Sequence, residues 1–108
     1  MNDTEIVIEV GSTNVYADMG YLDAAEMQRK SQLTAEITRA IKARKLTQIA
    51  AAELLGVDQS KISKITRGKF RGVSESKLLE LLAKLGHDVN ILIKPTKKRL
   101  GEVKLEFA

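Results

Sequence analysis

Apolar residues recur in the middle of the chain at three- and four-residue spacing, and at two-residue spacing near its end. Leu33, Ile37, Ala40 and Ile41 mark one buried stripe, the signature of an amphipathic helix. That helix is predicted from an N-cap at Asp23, with Glu26 completing the cap, to about Lys45. Arg44 and Lys45 in its last turn suit the negative end of its dipole. A second helix follows from an N-cap at Thr47, turns Ala51, Leu54 and Leu55 inward, and stops at Gly56. A third begins after Asp58 and ends near Arg67 and Gly68. A fourth is capped by Ser74, buries Leu78, Leu79, Leu81, Leu82 and Leu85, and stops at Gly86. Val57 with Ile62, and Val73 with Leu78, stand at hydrophobic-staple positions.

Outside this region the period changes. Val89, Ile91 and Ile93 alternate with polar neighbours, so a short strand is predicted over 88–94, closed by Pro95. Weaker alternation suggests strands over 5–10 and 102–107. Residues 15–22 read as an irregular connector, and Lys97-Lys98-Arg99 as an exposed basic loop. The expected fold is mainly α, a compact bundle of four to five helices with a short C-terminal strand at 88–94 and further strands at the termini. Its divisions are an arm over 1–20, a helical domain with a dimerisation strand over 21–95, and a basic C-terminal segment over 96–108.

Composition narrows the chemistry. The chain has 108 residues, no Cys, no Trp and one His, so cysteine-based metal sites and thiolate catalysis are excluded. No apolar run approaches the ~20 residues that span a bilayer, and the acidic start does not resemble a signal peptide. A soluble, intracellular protein without metal or cofactor is expected. The formal net charge of +4 hides a division. Residues 1–28 carry six acidic and no basic residues, whereas residues 29–108 carry all 18 basic and the other 8 acidic ones. An acidic arm on a basic body suggests partners of two kinds.

The most informative stretch is 46–69. Two short helices meet at the three-residue turn Gly56-Val57-Asp58, the geometry of a helix-turn-helix. Small residues Ala51 and Ala52 let the helices approach closely. Ile62 and Ile65 hold the second helix on the core. At about 100° per residue, Ser60, Ser63 and Lys64 then face outward, flanked by Gln59 and Lys61. That face is short-chained at its start and basic toward its end, as a helix lying in a major groove requires. With Arg67, Lys69 and Arg71, five cations stand within residues 61–71, and phosphates would reward them through counterion release.

Residues 46–69 resemble the helix-turn-helix of phage-repressor and Cro-like regulators, the XRE family. The features are Leu46-Thr47-Gln48, Ala52, Leu55-Gly56-Val57, Gln59-Ser60, Ile62-Ser63 and Arg67-Gly68-Lys69. The resemblance implies that Gln48 contacts a phosphate and that Gln59, Ser60, Lys61 and Lys64 face the groove. Ile49-Ala50 depart from it, since relatives commonly carry Glu there; the departure weakens the cap and leaves Ile49 exposed. Asn14 to Gly20, Asp23 to Glu26, Gly68 to Ser74 and Gly86 to Ile91 are similar to HigA-type antitoxins of bacterial toxin–antitoxin pairs. This resemblance implies a sequence-specific repressor of double-stranded DNA, cytoplasmic and bacterial, that regulates its own operon. It also implies a homodimer on a palindromic operator and a small basic toxin as second partner. A stand-alone regulator, and an interaction module that no longer binds DNA, are the alternatives.

Other residues carry less. The 67–72 run lacks the spacing of a phosphate-cradling loop, and no strand precedes it. His87 reads as structural, Phe70 as a core anchor, and Met19 and Met27 as packing residues. No nucleophile–base set or metal cluster points to an enzyme. A lone strand at 88–94 leaves backbone groups unpaired; it could pair with residues 102–107, with residues 5–10 or with its copy in a second subunit, and Val89, Ile91 and Ile93 are expected to contribute to a dimer interface.

Overall fold

A computed structural model describes the backbone of residues 15–108 and the side chains from residue 23. The strand expected over 5–10 and most of the acidic arm lie outside the described residues. The described chain forms four helices, α1 (Val15–Ala43), α2 (Gln48–Leu55), α3 (Gln59–Thr66) and α4 (Glu75–Lys84). Helix α1 packs on α4 and α3, and α2 on α3 and α4.

The stripe predicted for α1 holds. Leu33, Ile37, Ala40 and Ile41 are buried, and they meet Ala51, Leu55, Ile62, Ile65, Leu78, Leu81, Leu82 and Leu85 in one core. Each fully buried Leu or Ile contributes about 1.5–3 kcal/mol relative to exposure. Ala51 and Ala52 are buried, so α2 can lie close to its neighbours. Buried Thr34 donates its hydroxyl to Ser31 O at 3.0 Å.

The helix ends follow local chemistry. Thr47 Oγ1 accepts from Ala50 N at 3.0 Å, and Ser74 Oγ accepts from Lys77 N at 3.1 Å. Asp58 occupies the N-cap position of α3 without a side-chain cap bond. All four helices close by a hydrogen bond reaching back five residues: Leu46 N to Ile41 O, Val57 N to Ala52 O, Lys69 N to Lys64 O, and His87 N to Leu82 O. This Schellman closure places one residue in the left-handed region. Glycine fills it in three cases; after α1 it falls to Lys45, at φ 56°. At Gly56 a Cβ would stand 3.7 Å from Lys84 Nζ, so its φ of 69°, not crowding, favours glycine there. Cations then cover helix ends across the bundle. Lys84 Nζ donates to Leu55 O at 3.2 Å, and Arg44 Nη1 to Leu85 O at 3.2 Å. Arg44 therefore serves the C-terminus of α4 as well as standing near that of its own helix.

Three expectations are corrected. Residues 15–22 are not a connector: α1 begins at Val15, and Asp23 lies inside it, not at its cap. No proline interrupts 15–22, and a single Gly20 is tolerated within a helical run. Leu54 is 41% exposed, because the inward stripe of the short α2 is filled by Ala51, Ala52 and Leu55. No strand forms among the described residues, neither at 88–94 nor at 102–107. Both segments run outside the helices without ladder partners among the described residues, and a strand exists only through pairing. Ile91 and Ile93 are 75% and 89% exposed.

The C-terminal chain nevertheless returns to the bundle. Val103 O accepts from Arg29 Nη1 at 3.2 Å, and half-buried Leu105 packs on the core. Residues 88–102 thus form an exposed arm rooted at both ends on the helical unit. His87 stands at the first root, with Nε2 3.2 Å from Glu36 Oε2. At the second, Arg29 forks onto Glu75, with Nε to Oε2 at 2.7 Å and Nη2 to Oε1 at 2.9 Å.

Candidate nucleic-acid interface

Helix α3 is held by two residues and offers the rest. Ile62 and Ile65 are fully buried, which orients the helix. Gln59, Ser60 and Lys64 are exposed, and Lys61 and Ser63 are half-buried. The face inferred from the 100° step is therefore present, with Ser63 at its edge instead of its crest. Ser63 also uses its carbonyl twice, accepting from Thr66 Oγ1 at 3.1 Å and from Arg67 Nε at 3.2 Å. Arg67 is thereby folded back on its own helix.

The chain then turns through Gly68 and Gly72 and brings the following loop against α3. Ser60, Lys61 and Lys64 line one shallow hollow with Lys69 and Arg71. Its floor and rim include Ile65, Gly72 and Val73, and Asp58 adds one carboxylate. Lys61, Lys64, Lys69 and Arg71 make the lining of this solvent-open hollow predominantly basic, a chemistry suited to phosphate. A duplex supplies such groups at one charge per about 1.7 Å of axis. Of the residues expected to act here, the structure gathers Ser60, Lys61, Lys64, Lys69 and Arg71. Gln59 is exposed on the first turn of α3, and Gln48 is exposed at the first position of α2 beside the Thr47 cap. Neither lines the hollow. Ile49 is 60% exposed, as its departure from the family pattern implied.

The sequence pattern gave no sign of Asp58 and Gly72 as parts of the wall. Nor did it show a second hollow, where Asp23, Glu26, Met27 and Lys30 of α1 meet Phe70, Arg71 and Gly72. Phe70 is half-buried there, and Met27 is 39% exposed. The acidity of residues 23 and 26 was visible, but their nearness to the loop after α3 depends on how α1 crosses the bundle. Elsewhere the Arg29 fork holds the Glu75 carboxyl below the usual carboxylate range. Hydrogen bonds from Arg39 and then His87 do the same for Glu36. Among the described residues, no group of His, Asp and Glu is arranged to hold a metal ion, and no helix is long and apolar enough to cross a membrane.

Comparison with known proteins agrees with this geometry. A helix-turn-helix domain family matches residues 15–94. A solved structure of a protein described as an XRE-family transcriptional regulator is 32% identical. It aligns over 80% of this chain and 97% of its own length, with a TM-score of 0.69. No curated protein matches the chain.

Proposed function

The chain belongs to the XRE-type helix-turn-helix family of DNA-binding transcriptional regulators, and from that premise we propose that it is a repressor acting as an autoregulating antitoxin. The observation that carries the reading is the exposed, cation-edged face of α3, with Ser60 and Lys64 outward and Lys69 and Arg71 beside them. In this reading α3 lies in the major groove. Gln59, Ser60, Lys61, Ser63 and Lys64 meet base edges and groove walls, while Gln48, Arg67, Lys69 and Arg71 take phosphates.

The operator is palindromic and the protein a homodimer, because two copies must place their recognition helices about one helical turn apart. The 88–94 segment, with Val89, Ile91 and Ile93 exposed, contributes to the interface. The acidic residues of 1–28 suit a small basic toxin. The protein works in the bacterial cytoplasm, on the nucleoid when bound to its operator.

The test is a mobility-shift series on DNA upstream of its own gene, across a range of salt. Ser60→Glu or Lys64→Glu is expected to abolish specific binding. Lys69→Ala or Arg71→Ala should weaken binding to all sequences alike and lower the salt slope by about 1 for each substitution. Binding unaltered by either Glu substitution would overturn the groove assignment. Removal of residues 1–20 with toxin neutralisation undiminished would overturn the role of the arm.

A further inference from the structure

The dimer reading uses only residues 88–94 of the arm, and its distal half and returning limb carry a second concentration of positive charge. Lys94, Lys97, Lys98, Arg99 and Lys104 stand against a single acid, Glu102, within residues 94–104, and all are exposed. Lys98 is paired with Glu102 at 2.8 Å. The net charge of this segment is +4, equal to that of the whole chain.

The roots of the arm place this charge relative to α3. The returning limb is tied by Val103 O to Arg29, and Arg29 is forked onto Glu75. Glu75 follows the 69–73 loop by two residues. The stretch of α1 that contains Arg29 also shares a hollow with Phe70, Arg71 and Gly72. The arm is thus rooted beside the loop that completes the groove-facing patch. Fifteen residues doubled back on themselves reach about 20 Å from the root at ~3.3 Å per residue. That is more than half of a duplex turn of ~34 Å, so the arm is long enough to reach phosphates beyond the segment that α3 covers. The tip has no aromatic residue to stack on a base, and Lys and Arg on an exposed loop are suited to backbone contact without readout.

We propose that residues 94–104 form a second DNA contact, gripping the phosphate backbone that flanks the site under α3 without reading its sequence. The inference rests on the DNA-binding reading above. It assigns the ligand as duplex phosphate, not a protein.

The experiment compares the wild type with a Lys97→Ala, Arg99→Ala variant. Both positions are exposed and lie outside the 88–94 segment, and circular dichroism checks that the fold is kept. The probe is a duplex selected by the wild-type protein from a random-sequence pool. It is used once trimmed to its selected core and once extended by a helical turn on each side. On the extended duplex the variant should bind roughly tenfold more weakly at moderate salt, with its salt slope lowered by about 0.9 for each phosphate no longer neutralised. On the core duplex the two proteins should bind alike. Equal affinities on the extended duplex, or equal losses on both, would overturn the proposal. So would weaker self-association of the variant in sedimentation without DNA, which would make the tip a protein contact. Wild-type protein that selects no duplex would instead strike at the DNA-binding reading itself.

Discussion

The helical unit and the arm are built from the same apolar residue types and place them oppositely. Ile62 and Ile65 in α3 are fully buried, whereas Ile91 and Ile93 in the arm are 75% and 89% exposed. In a helix the backbone satisfies its own hydrogen bonds, so an apolar stripe needs only a neighbouring stripe to become a core. An extended segment needs a second backbone before its side chains have a floor to pack on. Burial in this chain is therefore decided by whether the backbone is already satisfied, not by hydrophobicity alone.

The sharpest test of that contrast is a matched pair of substitutions. Ile65→Ala should lower unfolding stability by about 2–5 kcal/mol, while Ile93→Ala should change the unfolding of the dilute monomer by less than about 0.5 kcal/mol. Denaturant titration at low protein concentration measures both. Comparable losses would show that the arm is packed in solution.

The junction between the two regions comes next in size. Glu75→Gln breaks the fork that ties α1 to α4 beside the returning limb, and should cost about 1 kcal/mol at neutral pH. The folded-state carboxyl holds its proton less tightly than the ordinary value of 4.5. The stabilisation is therefore complete above that value and is lost as pH falls through the lower folded-state one. Glu36, lowered by Arg39 and His87, acts with the same sign. Wild-type stability should fall on acidification below the carboxylate range, and the Gln variant should fall less steeply. Parallel curves would show that Glu75 plays no part in the acid sensitivity.

The smallest effect lies inside the helical unit. Lys45→Gly relieves an L-residue of a left-handed backbone, which costs roughly 1–2 kcal/mol, and incurs the greater chain entropy of glycine, roughly 0.5–1 kcal/mol. A net gain of about 0.5 kcal/mol in thermal unfolding is expected. A loss would mean that the Lys45 side chain holds the α1–α2 joint.

Much of the helical unit was legible because its signals are local. Thr47, Ser74, Gly56 and Gly86 act on neighbours within a turn, and the Leu and Ile spacing of 33–41 and 78–85 acts within one helix. The α3 face was legible for the same reason, since Ile62 and Ile65 orient it. Leu54 was misplaced because a short helix has room for only one stripe, and Ala51 and Ala52 took it. The start of α1 was hidden by Asp23, a good cap residue that the helix simply passes through. Arg29 was invisible as a fastening point. Its partners are 46 and 74 residues away, and no local pattern announces contacts at that separation.

That one guanidinium also implies an order of assembly. The tail hangs on that contact and on half-buried Leu105, while the helices share a buried core, so the tail is expected to seat last, on a platform the helices have already built. In reverse it is the first part to let go. A pull on the tail would peel Val103 and Leu105 from the surface while the helical core stays intact.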